Sequence, residues 1–235
     1  MKGRSLLTPF RELLQLFLPA TCIACGQPLV GDECSLCVRC MMHLPLAYFS
    51  AAPNNATELR LMGRVRFEAA TSLLLFHKQG ITQSIVHAIK YYDDETLGIT
   101  MGRMMGRDLL SSGRFSSVDC VVPVPLHRGK LRRRGYNQSL LLCRGIAEVC
   151  HLPIVANNLI RVVNTESQTH KNGTQRIDNM DDAFQIVDSM SFEGRHILLV
   201  DDVITTGSTI AECADVLLSI SGVRVSLASL AITDG

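Results

Sequence analysis

The stretch from Arg195 to Thr209, RHILLVDDVITTGST, limits what this chain can fold into more than any other. Ile197 to Val200 is a short apolar run that reads as a buried strand. It ends in two acids, Asp201 and Asp202, and a new 3.6-residue apolar period opens at Ser208, so the strand is expected to turn straight into a helix. Such a turn gathers the free amides of a helix N-terminus and the hydroxyls of Thr205, Thr206, Ser208 and Thr209 around one concavity, while Gly207 lets the backbone come close. That is what a phosphate monoester needs. Adjacent carboxylates repel phosphate, so Asp201 and Asp202 are expected to face hydroxyls or a metal-bound sugar. Phosphate beside a diol means a phosphorylated ribose. The competing possibility is an ordinary strand-to-helix turn with Asp as N-cap.

With 235 residues and 47% hydrophobic content, the chain has enough material for one sizeable core plus a small appendage. A net charge of +1 excludes a global field that gathers nucleic acid; any such binding needs a local patch. Of nine cysteines, five crowd between residues 22 and 40, a distribution that fits one metal site in a reducing cytosol better than a disulfide framework. Cys22-x-x-Cys25 and Cys37-x-x-Cys40 are two knuckles separated by eleven residues, a spacing at which two turns offer four thiolates to one tetrahedral ion, expected to be zinc. So short a segment has almost no core, and metal binding, worth on the order of 10 kcal/mol, would supply most of its folding free energy. Four thiolates leave no open position for water, which makes the zinc structural. Cys34-x-x-Cys37 is also a knuckle, so spacing alone leaves Cys34 and Cys40 both open as the fourth ligand.

Leu13, Leu14, Phe17 and Leu18 share one helical face, and Arg11 and Glu12 interrupt the apolar run before it reaches membrane-spanning length, so a short amphipathic helix is expected there; a signal peptide or lipid anchor is the alternative. The small, polar residues 50–57 read as a linker. Beyond it come a strand ending near Phe76, a helix carrying Lys90 near its C-terminal end, and a second helix over Gly98 to Leu110 despite three glycines. Asp119 to Pro125 is a buried strand, and the following stretch to Gln138 reads as a loop with five cations, Arg128, Lys130, Arg132, Arg133 and Arg134. At the carboxyl end of a strand such a loop is placed to hold pyrophosphate through charge-assisted hydrogen bonds. A solvated face and a single-stranded nucleic-acid track stay open for it, the latter weakened by having only Tyr136 for stacking. Asn137 to His151 reads as a capped helix, and strand-helix alternation across residues 119–232 implies a mainly parallel α/β sheet.

The apolar run, acid pair and Thr-Thr-Gly-Ser-Thr turn resemble the signature of type I phosphoribosyltransferases, which bind 5-phosphoribosyl-1-pyrophosphate (PRPP). Three further patterns resemble the ComF/GntX group. The first is Cys22, Cys25, Gly26, Pro28, Leu29, then Cys37, Cys40, Leu44, Pro45; the second is Val-Pro-Val-Pro-Leu-His followed by Arg-x-x-Gly-Tyr-Asn-Gln; the third is Gln168, Thr169, Arg176, Asn179, Ala183, Phe184. The resemblance runs from Cys22 to Ile232 and implies an α/β fold, a type I phosphoribosyltransferase-like parallel sheet flanked by helices, with a small N-terminal four-cysteine zinc module. It divides the chain into residues 1–50 (helix and zinc module) and 58–235 (phosphoribosyltransferase domain), and it favours Cys40 over Cys34. It also implies Mg²⁺ alongside PRPP and a pyrophosphate-side role for Lys90. By the same resemblance, Gln168, Thr169 and Arg176 are expected in a mobile loop that shields the ribosyl centre from water. The expected activity is transfer of a phosphoribosyl group to an acceptor by electrostatic catalysis on Asp201, Asp202 and Lys90, consistent with the lack of any Ser/His/Asp or Cys/His constellation. The alternative is a catalytically silent accessory of DNA uptake and competence that binds PRPP or single-stranded DNA and docks an uptake helicase. Either protein is expected in the cytoplasm without membrane insertion. Acceptor and oligomeric state stay open.

Overall fold

The structure, a computed structural model, describes residues 20–92, 94–162 and 183–233. Its centre is a four-stranded, wholly parallel sheet made of β1 (Ala70–Phe76), β2 (Cys120–Pro123), β5 (His196–Ile204) and β6 (Arg224–Thr233), in the order β1-β6-β5-β2. Parallel strands need covered faces, and period-two alternation supplies both. On β5, Leu198 and Val200 enter one buried cluster while Ile197 and Leu199 enter the other. The first face is covered by α3 (Ile81–Tyr91), α4 (Glu95–Ser112) and α6 (Gln138–Cys150). The second is covered by α2 (Ala56–Leu61), α7 (Ser208–Leu218) and the antiparallel pair β3 (Leu159–Arg161) and β4 (Phe184–Ile186).

Helix α4 tolerates its glycines because they are its packing surface. A Cβ on Gly102 would come within 2.2 Å of the Leu142 carbonyl oxygen, and one on Gly145 within 2.2 Å of the Ile99 carbonyl oxygen, so α4 and α6 meet backbone to backbone. The cationic stretch expected as a loop instead holds a two-turn helix, α5 (Arg128–Arg134). His127 Nδ1 accepts from the Gly129 amide at 3.2 Å, and Leu, Lys and Arg are good helix formers, so no apolar period is needed to make it. Strand β5 likewise runs past the acids to Ile204 rather than ending at them, because Asp201, Val203 and Ile204 keep their pairing to Ser229, Ala231 and Ile232 of β6.

The cysteine module, with its single short helix α1 (Val38–Met42), leans on the first face. Cys22, Leu36, Cys37, Cys40 and Leu44 belong to the same buried cluster as Leu73 of β1 and Ile85 of α3. Residues 45–47 lie along the outer edge of β1: the Leu75 amide donates to Pro45 and the Ala47 amide to Leu73, both at 2.9 Å. The stretch 50–57, read from composition as a linker, is packed. Asn55 caps α2, and its side-chain amide donates to the carbonyls of Phe49, Ala52 and Ala70. No helix among the described residues is long and apolar enough to cross a membrane. The amphipathic helix expected around Leu13 to Leu18 lies outside the described residues.

Candidate functional site

At the carboxyl edge of the sheet, β5 delivers Asp201 and Asp202 and then turns through Thr205–Gly207 into α7. Gly207 sits at φ +82°, ψ 0°, a left-handed conformation that any side chain would strain, and a Cβ there would lie 2.6 Å from Leu61 Cδ2. As N-cap it has no side chain to satisfy the first amides of α7, and the Ser208 amide reaches the Thr206 hydroxyl at a long 3.4 Å. The Thr206 and Ser208 hydroxyls bond each other at 3.1 Å, and Thr205, Thr206 and Ser208 are exposed. The turn is held from behind: the Arg60 guanidinium donates to the Thr205 carbonyl and, at 3.1 Å, to the Thr233 carbonyl at the end of β6. Sequence reasoning missed Arg60. Nothing local to residue 60 announces a partner 145 positions away.

The acid pair is half-buried. Asp202 Oδ2 meets Lys90 Nζ at 2.9 Å, while Asp201 Oδ1 accepts from the Ser139 hydroxyl at 3.3 Å and from the Asp202 amide at 2.8 Å. Burial, and then the neighbouring Asp202 carboxylate, push the Asp201 carboxyl from 3.8 up to about 7, against the lowering pull of the Asp202 amide, Lys90 and Ser139. Lys90 is thus brought onto the acids. Ser139 was missed, although it directly follows the Gly-Tyr-Asn-Gln motif.

Lys90 also lines an open cavity of about 430 Å³ with Tyr91, Arg133, Arg134 and Tyr136. The Tyr136 hydroxyl donates to the Ile89 carbonyl, and the Arg134 guanidinium lies 5.5 Å over the Tyr91 ring and bonds Gln138 Oε1 at 2.9 Å. Arg134 Nε and Gln138 Nε2 are buried donors without an acceptor among the described residues, a costly state. Arg128 and Arg132 are exposed on α5 and Lys130 is half-buried there. The expected lid residues Gln168, Thr169 and Arg176 lie outside the described residues.

In the cysteine module, the sulfurs of Cys22, Cys25, Cys37 and Cys40 all fall within 4.8 Å of one another. The Cys25 and Cys37 sulfurs are 3.7 Å apart, close to the ~3.8 Å edge of a tetrahedron whose zinc–sulfur bonds are about 2.3 Å. The donor set fits a structural zinc ion. Cys34 stands aside, exposed, its sulfur turned to the Asp32 carbonyl. Burial pushes the Cys22 thiol up, but the amides of Cys37, Cys25 and Ala24 and the Cys25 side chain outweigh it and bring it down to about 6; burial and its three sulfur neighbours push Cys40 the other way.

Residues 138–234 match the phosphoribosyl transferase domain family. Over 223 residues the chain is 29% identical to the DNA utilization protein YhgH of Salmonella typhimurium, covering 86% of this chain and 92% of that one. It is 30% identical over 151 residues to Competence protein F of Haemophilus influenzae (63% and 66% covered) and 31% identical over 112 residues to Competence protein ComFC of Bacillus subtilis (48% and 43%). The chain belongs to the ComF family. In this ComF protein the domain match begins at Gln138, beside the unpartnered donors, and takes in Ser139, the acid pair and the Thr205–Thr209 turn. The cysteine cluster, Arg60, Lys90 and the α5 cations lie before it.

Proposed function

We propose that this ComF protein binds PRPP with Mg²⁺ and transfers the phosphoribosyl group to an acceptor, with release of pyrophosphate. The observation that carries this is the placement of the acid pair between two anion-receptive features: the uncapped N-terminus of α7 on one side, and on the other a cation cluster in which Arg134 and Gln138 keep buried donors without acceptors. The amides and hydroxyls of Thr205, Thr206, Gly207, Ser208 and Thr209 hold the 5-phosphate. Asp201 and Asp202 orient the ribose hydroxyls, and Lys90, Arg133 and Arg134, with Arg128, Lys130 and Arg132 on the same helix, take the pyrophosphate. As the bond from the anomeric carbon to pyrophosphate breaks, positive charge grows on the ribosyl ring near the carboxylates and negative charge on the leaving group near the cations, so fixed charges do the work and no protein nucleophile is needed. Two adjacent carboxylates, one of them paired with a lysine, suit a hard cation, and Mg²⁺ would supply further neutralisation of the pyrophosphate oxygens. In calorimetry, Asp201→Asn with Asp202→Asn is expected to abolish binding of Mg²⁺ and PRPP; unchanged affinity would rule the assignment out.

A second reading, single-stranded DNA binding in uptake, is favoured by an aromatic group beside the same cations. His87 lies tilted against Tyr91 (4.7 Å) and edge-on to Tyr92 (5.2 Å), and both tyrosines are exposed, at 59% and 69%. Rings beside arginines suit splayed bases, and two of the relatives are named for competence. Pyrophosphate release from PRPP distinguishes the transferase from salt-sensitive oligonucleotide binding without release.

A further inference from the structure

We propose that the four-cysteine site and the Lys90 cavity are thermodynamically linked, and that Ser35 is the positioning residue joining them. The inference rests on reading that cavity as a pyrophosphate site. Ser35 belongs to the second knuckle, at φ +59°, and its carbonyl accepts from the Ile23 amide of the first knuckle at 2.9 Å, so its position depends on both knuckles being held together. Its hydroxyl donates to Asp94 Oδ2. The other oxygen of Asp94 accepts from the Leu97 amide at 3.0 Å and caps α4 at the corner where the chain leaves α3. The last turn of α3 carries Lys90 and Tyr91, two walls of the cavity.

Below this hydrogen bond the contact is continuous. Cys22, Leu36, Cys37 and Cys40 share one buried cluster with Ile85, Val86, Ala88 and Ile89 of α3 and with Leu97 and Met101 of α4. The module has one five-residue helix and little core of its own, so the metal fixes where the knuckles sit. Whatever fixes the knuckles fixes Ser35, and through Asp94 the start of α4, which shares its buried cluster with the helix that carries Lys90. Linkage is reciprocal: an anion that prefers the ordered cavity must tighten the hold on zinc by the same factor.

The test uses the full zinc-loaded chain. Calorimetry with pyrophosphate compares wild type, Ser35→Ala and Glu33→Gln, with metal content checked at one zinc per chain. Among the described residues Glu33 accepts from amides within the module, Val38 at 2.7 Å and Val30 at 2.9 Å, and Gln keeps an oxygen to accept with, so its variant is a charge change in the module that leaves the knuckles and the joint in place. Ser35→Ala is expected to weaken pyrophosphate about five- to tenfold while retaining zinc, and Glu33→Gln to leave pyrophosphate affinity unchanged. In a second arm, zinc affinity is read at equilibrium by competition with a chromophoric chelator, with and without sulfate at a concentration shown to displace pyrophosphate and at constant ionic strength, since pyrophosphate would itself bind the metal. Sulfate should tighten zinc several-fold in wild type and not in Ser35→Ala. If wild type binds pyrophosphate but Ser35→Ala binds it equally well, or if sulfate leaves wild-type zinc affinity unchanged, the linkage is overturned and the anion site stands. If wild type binds no pyrophosphate, both fall.

Discussion

Replacing Asp201 by Asn should stabilise the protein while damaging its site, and the size of the gain follows from the acid's surroundings. Burial and Asp202 raise the Asp201 carboxyl from 3.8 to about 7, so ionisation is harder in the folded chain than in the unfolded one. A group raised in this way favours folding at low pH, and the advantage is lost progressively as pH climbs from about 4 through 7. A rise of roughly three units corresponds to about 4 kcal/mol at most; partial solvent contact at the half-buried carboxyl screens this to about 2 kcal/mol. Asn keeps an oxygen to accept from Ser139 and the Asp202 amide but never has to ionise. At pH 8 the variant should therefore exceed wild type by about 2 kcal/mol, a Tm rise of about 4–8 °C for a chain of this size, narrowing to about half of that at pH 5.5. Thermal melts with zinc saturating at both pH values provide the measurement. A variant that is less stable at pH 8, or a gap that does not move with pH, would refute the electrostatic account of the acid pair.

Gly207→Ala places a Cβ at φ +82° and 2.6 Å from Leu61 Cδ2, so urea denaturation should show a loss of about 1–3 kcal/mol, and affinity for PRPP should fall at least ~10-fold as the turn shifts off the phosphate position. Wild-type values in both assays would mean that the turn has room to spare. Cys40→Ser should fail to retain zinc after dialysis, whereas Cys34→Ser should keep one ion per chain, because only the former removes a sulfur from the tetrahedral set. Equal loss by elemental analysis would return Cys34 to the ligand set.

The features legible in the sequence are those with a local physical period. The unbroken apolar run Ile197 to Val200 marked β5 as a buried strand, and the apolar spacing after Ser208 marked α7, because each depends on neighbours a few residues away. The cysteine spacing identified the metal site but not its fourth ligand, since Cys34 and Cys40 both stand three residues from Cys37. The fold gathers the Cys40 sulfur, and not that of Cys34, with the other three: Cys37 caps α1, the Cys40 amide pointing to its sulfur at 3.4 Å, and one helical turn then brings the Cys40 sulfur to the same side. Helix α5 escaped notice for the opposite reason. Leu131 is its single large apolar residue, so no period marks it, and only capping and propensity make it helical.

The carboxylates themselves were legible, but not what they touch. Lys90 meets Asp202 and Ser139 meets Asp201 because the C-terminal end of α3 and the N-terminal end of α6 both come to the carboxyl edge of the sheet where the acids stand, and no pattern within either helix encodes that meeting. The same holds for Arg60, just past the stretch 50–57 read as a linker, which ties the turn at Thr205 to the end of β6 at Thr233. Chemistry that depends on a turn can be read from the turn. Chemistry that depends on the charge state of the acids needs the three-dimensional neighbourhood, because burial and the charges around it move Asp201 to about 7, and none of that is local to residue 201.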